Sequence, residues 1–361
     1  MSLQAVRIQE LIRAARGRGA TDLHFGGAER PALRVNGRLL LADALPIDQP
    51  AVRAFLSASV GADQLAALDE RGTADGAELR AHDGGPYRIH AYRHAGGVRV
   101  AIRLLAERLP VFESLGLPAV VGSFARLRAG LILFTGPTGS GKTTALAALI
   151  DRINRTCERI VCTVEDPIEY LHAPQRSLLT HCEIGRDVRD YAEALRGFMR
   201  ADPDVILIGE MRDRPTMEAA LSAAETGHLV CATLHTNDAA QTVDRIVDAF
   251  SPQAHDQVRG QLAATLAGIV SLRLVPRRDG LGRCAAAEVL IGTDAVHALI
   301  REGKTHQLRN TIVTGRAVGM QTLESHLCEL VMRGEVTLED AQAATSRPGE
   351  VRAFDRTGNT R

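Results

Sequence analysis

Between residues 131 and 150 an aliphatic stretch, Leu131-Ile132-Leu133-Phe134, runs through the octapeptide Gly136-Pro137-Thr138-Gly139-Ser140-Gly141-Lys142-Thr143 into Thr144-Ala145-Leu146-Ala147-Ala148-Leu149-Ile150. The octapeptide fits G-x-x-x-x-G-K-[ST], and it lies where that pattern has meaning, after a buried strand and before a good helix former. Its glycines let successive backbone N–H groups point inward, and the helix N-terminus adds partial positive charge, so the segment cradles a polyphosphate. Gly136, Pro137, Thr138, Gly139, Ser140, Gly141, Lys142, Thr143 and Thr144 are the expected nucleotide contacts. Lys142 would reach the β- and γ-phosphates of ATP, and Thr143 would offer a hydroxyl to Mg²⁺.

The surrounding sequence fits the parallel sheet that such a loop requires. Aliphatic runs at Leu131–Thr135, Ile160–Val164, Val205–Ile208 and Leu229–Thr233 alternate with helical stretches. Aromatics are only 3% of the 361 residues against 45% hydrophobic, so the core must be filled by aliphatics, the usual material of helices packed on parallel strands. From Asp294 the pattern is helical, Thr337 reads as an N-cap before Glu339 and Asp340, and a polar tail begins at Arg347.

The first third reads as a small α+β domain. Leu3, Val6, Leu11, Ile12 and Ala15 lie on one side of a helix ending near Gly17 and Gly19. Ala32–Val35 and Arg38–Leu41 flank the hairpin signal Asn36-Gly37, and a helical stretch covers Ala51 to Arg71. Strands are predicted at Tyr87–Ala91 and Val98–Leu104. In the second, Val98, Val100, Ile102 and Leu104 share one face, and Arg99 and Arg103 the other. Pro110 and Pro118 bracket a linker. The expected division is 1–107, a linker at 108–118, a phosphate-loop domain at 119–346 and the tail at 347–361.

Three further segments carry candidate chemistry. Asp204-Val205-Ile206-Leu207-Ile208-Gly209-Glu210 is a buried strand ending in a carboxylate, the place for a Mg²⁺-side acid on a strand neighbouring the phosphate loop. Val164-Glu165-Asp166-Pro167-Ile168-Glu169-Tyr170 sets three carboxylates after another aliphatic strand. A carboxylate triplet is ordinarily a solvated loop, but beside a phosphate one of these acids would orient the attacking water. Thr226 to Thr236 frames a strand with His228 and His235 at its ends, too far apart to share a metal without a bend. They are structural, or they read the γ-phosphate or relay its loss to a neighbouring subunit.

With these segments in order, the chain resembles the type II/type IV secretion ATPase superfamily, and within it the PilT-type twitching-motility ATPases that retract type IV pili. The matching stretches are the phosphate loop (Walker A), Glu165-Asp166-Pro167-Ile168-Glu169 (Asp box), Asp204 to Glu210 (Walker B), and Gly227 to Thr236 (His box). Ala20-Thr21-Asp22-Leu23-His24, the run Ala223 to His228, and Gly319-Met320-Gln321-Thr322-Leu323 extend the similarity, which covers residues 1 to about 345. The resemblance implies a PAS-like N-terminal domain, a RecA-like ATPase domain with C-terminal helices, and a homohexamer with ATP between protomers. By motif position Glu169 would polarise water, Glu210 would serve Mg²⁺, and His228 with His235 would sense the nucleotide. Arg88 and Arg103 are the best matches to the family's phosphate-contacting arginines; six arginines stand between Arg80 and Arg108 against Asp83 and Glu107.

The assembly and secretion ATPases generally carry a longer N-terminal region and a four-cysteine zinc insert; the resemblance implies neither here, which favours the retraction branch. The branch motif A-I-R-N-L-I-R-E stands here as Ala295-Val296-His297-Ala298-Leu299-Ile300-Arg301-Glu302, with two changes, His297 and Ala298. An assembly or secretion ATPase and a non-hydrolysing accessory subunit are the alternatives. The implied partners are an integral inner-membrane pilus platform protein and a paralogous pilus ATPase. With 43 basic and 43 acidic side chains the net charge is zero, which argues against a nucleic-acid translocase. Neutrality is instead expected to average a basic N-terminal strand face and an acidic phosphate-loop edge. Six cysteines without C-x-x-C spacing read as reduced thiols, and the N-terminus shows no secretory signal. No apolar run approaches the ~20 residues of a membrane span, so the expected location is the cytoplasm, peripherally on the inner membrane.

Overall fold

The computed structural model describes residues 3–35, 38–78, 85–105 and 109–352. Asn36-Gly37, Arg80, Asp83, Glu107, Arg108 and the end of the polar tail lie outside the described residues, as do the side chains of Leu3 and Val6. The chain divides into two compact units, Met1–Leu109 with Glu169–Leu171, and Pro110–Ile168 with His172–Arg361.

The first unit contains α1 (Leu3–Gly17), β1 (Ala20–Phe25), β2 (Ala32–Val35), β3 (Arg38–Leu41), α2 (Gln49–Ser59), α3 (Ala62–Arg71), β4 (Thr73–Glu78), β5 (Tyr87–His94) and β6 (Gly97–Leu104). Its antiparallel sheet runs β3-β2-β1-β6-β5-β4. Val98, Val100 and Ile102 are buried as the alternation of β6 requires, beside Ile8, Ile12 and Phe55. The single helical stretch expected over 51–71 is two helices, because Gly61 at φ 80° breaks the turn between them.

The second unit contains α4 (Ala119–Ser123), β7 (Gly130–Thr135), α5 (Lys142–Thr156), β8 (Ile160–Glu165), β9 (Leu178–Glu183), α6 (Tyr191–Phe198), β10 (Val205–Ile208), α7 (Arg214–Glu225), β11 (Leu229–Leu234), α8 (Ala239–Asp248), α9 (His255–Thr265), β12 (Leu266–Pro276), β13 (Arg283–Ile291), α10 (Asp294–Arg301), α11 (Leu308–Thr314), α12 (Leu323–Met332) and α13 (Leu338–Ala343). The sheet order is β13-β12-β7-β11-β10-β8-β9; every neighbouring pair is parallel except the β12–β13 hairpin. Leu131, Ile132, Leu133 and Phe134 are all wholly buried, the mark of a strand covered on both faces. At about 1.5–3 kcal/mol for each large aliphatic removed from water, this strand with Leu149, Ile150 and Ile153 of α5 anchors the loop between them.

Two expectations need correction. The strand ending at Glu210 is not the neighbour of the phosphate-loop strand, because β11 lies between β7 and β10. The segment bracketed by Pro110 and Pro118 is not a free linker: Phe112 is buried in the second unit with Arg152 of α5 over its ring at 5.8 Å.

Candidate functional site

The phosphate loop joins β7 to α5, and three of its glycines, Gly136 (φ 138°), Gly139 (φ 76°) and Gly141 (φ 94°), occupy the positive-φ region that side chains avoid. At Gly136 the reason is also steric, since a Cβ there would lie 2.5 Å from both Leu272 O and Ser140 Oγ. Lys142 is buried, and its Nζ donates to the carbonyls of Gly136 (2.7 Å) and Pro137 (3.0 Å). Ser140 Oγ is buried with no hydrogen-bond partner among the described residues. An orphan hydroxyl, a cradle that excludes Cβ atoms and a helix N-terminus together fit a polyphosphate. Beside the loop, an apolar cavity of about 110 Å³ is lined by Leu115, Leu117, Thr144, Leu272, Leu274 and Ala285. The sequence reading missed these leucines. The alternation Leu272/Leu274 on β12 is their sequence signal, but which strand borders the loop is set by sheet order.

Glu210 follows β10 with its side chain 17% exposed. Its Oε2 accepts from Arg212 Nε at 2.7 Å, and its Oε1 lies 3.3 Å from His235 Nε2. The structure therefore joins the carboxylate of one motif to the histidine of another. Arg212, two residues beyond Glu210, escaped the sequence reading. Tyr191, at the start of α6, escaped it too: burial, and then Asp166, push its phenol well above the ordinary range, with Glu210 and Glu165 adding and Arg212 opposing. Among the described residues no group of three His, Cys, Asp or Glu could hold a metal alone. The hydroxyl of Thr143 and the carboxylate of Glu210 are nevertheless the hard oxygen donors that Mg²⁺ takes beside phosphate oxygens.

His228 does not join this site. Parallel β11 carries the two histidines to its opposite ends, roughly 20 Å apart at about 3.3 Å per residue. His228 Nδ1 lies 2.9 Å from Ala223 O and 3.1 Å from Thr226 Oγ1, at the end of α7. Within one chain the two histidines therefore do not meet at one phosphate loop.

Of the acidic triplet, Glu165 closes β8 with 8% exposure and accepts from Thr163 Oγ1 at 3.2 Å, whereas Asp166 is exposed and precedes a cis peptide to Pro167. Glu169 groups with the first unit, where its Oε1 is 3.4 Å from Arg88 Nη2. In that unit's sheet Arg88 pairs across β5–β6 with Arg103, and Arg103 pairs across β6–β1 with Asp22, whose carboxylate accepts from Arg103 Nε at 3.1 Å. Burial opposes ionisation of Asp22, but hydrogen bonds from Thr21 and Arg103 prevail and hold its carboxyl below the usual range.

Residues 6–358 match the family model described as "Type II/IV secretion system protein". The type IV pilus retraction ATPase PilT of Pseudomonas aeruginosa is 38% identical over 94% of this chain and 98% of its own length. An uncharacterised Escherichia coli protein, YggR, is 43% identical over 92% of this chain and all of its own length. The crystal structure of the pilus retraction motor PilT with bound ADP superposes with a TM-score of 0.88 at 40% identity, covering 95% of this chain and 98% of that one.

Proposed function

The chain belongs to the type II/IV secretion system protein family, and on that premise we propose that it is an ATP-hydrolysing motor of type IV pilus retraction. One observation carries the reading: a complete phosphate loop and a Glu210 held between His235 and Arg212 occur in a chain that matches PilT almost end to end. Lys142 and the α5 N-terminus would bind the phosphates, and the leucine-lined cavity would take the base. Thr143 and Glu210 would hold Mg²⁺, which supplies charge neutralisation at the β- and γ-phosphates. Water would attack the γ-phosphorus, the bond to the β–γ bridging oxygen would break, and a carboxylate of the acidic triplet, Glu169 by motif position, would take the water proton. Arg88 and Arg103 would complete the phosphate contacts, with His235 relaying nucleotide state through Glu210.

We further read the working form as a homohexamer acting at the cytoplasmic face of the inner membrane on an integral platform protein, with a paralogous ATPase as a further partner. In keeping with peripheral docking, no helix among the described residues is long and apolar enough to cross a membrane. Deleting the gene and imaging the surface tests the direction of force: excess pili with lost twitching supports retraction, and absent pili overturns it in favour of assembly. Purified protein is expected to hydrolyse ATP only with Mg²⁺, and Glu169→Gln to retain nucleotide binding without turnover. Unimpaired turnover in that variant removes Glu169 from the role.

A further inference from the structure

Glu165 sits at the C-terminal end of β8, almost out of water, next to Asp166 and the charged surroundings of Glu210. Thr163, two residues upstream on the same face of the strand, donates its hydroxyl to Glu165 Oε1 at 3.2 Å. The same hydroxyl oxygen lies 2.9 Å from Nδ1 of His181, the residue that faces Thr163 in the β8–β9 register.

These two contacts fix the hydrogens. The Thr163 hydroxyl gives its one hydrogen to Glu165, so its oxygen is left to accept from an N–H on His181 Nδ1. The other ring nitrogen, Nε2, is buried with no hydrogen-bond partner among the described residues, as suits a neutral ring with its hydrogen on Nδ1. Burial, and then the neighbouring His172, push the His181 pKa down to about 4, so the ring is uncharged at neutral pH. His172 stacks on it with centroids 5.6 Å apart and planes 12° from parallel. Asn154 of α5 clamps the segment just after His172, donating to Ala173 O at 2.8 Å and accepting from Gln175 N at 3.0 Å. The imidazole is wedged in place, with its one hydrogen-bonding nitrogen aimed at a hydroxyl that serves a site carboxylate.

We propose that His181 is a positioning residue for ATP hydrolysis, orienting the Glu165 carboxylate through the Thr163 hydroxyl. The proposal rests on the reading of this chain as an ATPase whose acidic triplet works in the reaction. His181→Phe keeps the bulk and the stack with His172 but removes the N–H, and Thr163→Val removes the relay. Steady-state hydrolysis of Mg·ATP is expected to show kcat down about tenfold in each, with KM within about twofold. The double variant should be no slower than the slower single one, because both changes break one chain of contacts. His181→Asn, which can set an amide N–H where Nδ1 stands, should recover most of the loss. A purely structural role would instead lower the melting temperature, add in the double variant and ignore the Asn replacement; that pattern overturns the proposal, as does wild-type kcat in both single variants. If His181→Phe does not fold, Thr163→Val and His181→Asn decide alone: wild-type kcat in Thr163→Val overturns the proposal. A wild-type protein that binds ATP without hydrolysing it overturns the ATPase reading and the proposal with it, and is told apart by its inactive parent.

Discussion

Single residues in this protein are tuned by what lies within a few ångströms of them. Glu210 is held by Arg212 and His235; on the proposed reading it would donate an oxygen to Mg²⁺, and Glu210→Gln should cut Mg²⁺-dependent turnover at least a hundredfold while ATP binding persists. Glu288 illustrates the stability side. It is buried on β13, accepts from Ala239 N at 2.9 Å at the start of α8, and its pKa is pushed up to about 7 by burial first and by Asp238 and Glu324 beyond that. Its folded pKa lies above the unfolded one, so the stability it contributes is full below about pH 4.5 and is lost as pH rises through 7. The loss is on the order of 3 kcal/mol. Glu288→Gln keeps an acceptor for Ala239 without the charge. Thermal unfolding should therefore find it several degrees more stable than the parent at pH 8 and level with it near pH 5.

At the scale of elements, much of the site was readable beforehand. The β7–loop–α5 unit, β8, β10 and β11 all lie where hydrophobic runs put them, because strands buried on both faces must be continuously aliphatic. What the linear pattern did not hold was adjacency: β11 enters between β7 and β10, and β12 flanks the phosphate loop on its other side. That placement explains why Gly136 has so little room, since the carbonyl it faces belongs to Leu272 of β12. Gly136→Ala is expected to weaken nucleotide binding at least tenfold, measured by titration with a fluorescent ATP analogue, with the fold retained. Asp238→Ala removes the acceptor that caps α8 through Gln241 N and should cost about 1 kcal/mol by denaturant unfolding.

For the whole molecule, the balance of 43 against 43 is settled locally. Arg99 is 2.5 Å from Glu29, Arg103 3.1 Å from Asp22 and Arg88 3.4 Å from Glu169, so the basic strand face expected in the first unit is largely matched by its own acids. Acid should act instead through buried histidines. His172, His181 and His326 all have pKa values lowered first by burial. Their neutral forms contribute stability above pH 6.5 that is lost as pH falls towards about 4, the value for His181. Melting temperature should drop over that window, and less steeply in His181→Phe.

The phosphate loop with its strand and helix, the acidic and histidine motifs and the alternating face of β6 are legible along the chain, because each follows from local stereochemistry or from a period of two along a strand. Which strand lies beside which, that His235 reaches Glu210 while His228 stays at the far edge of its strand, and that Thr163 and His181 stand behind Glu165 emerge only once the chain is folded. Those are relations between segments distant in the chain, set by how a buried parallel sheet orders its strands.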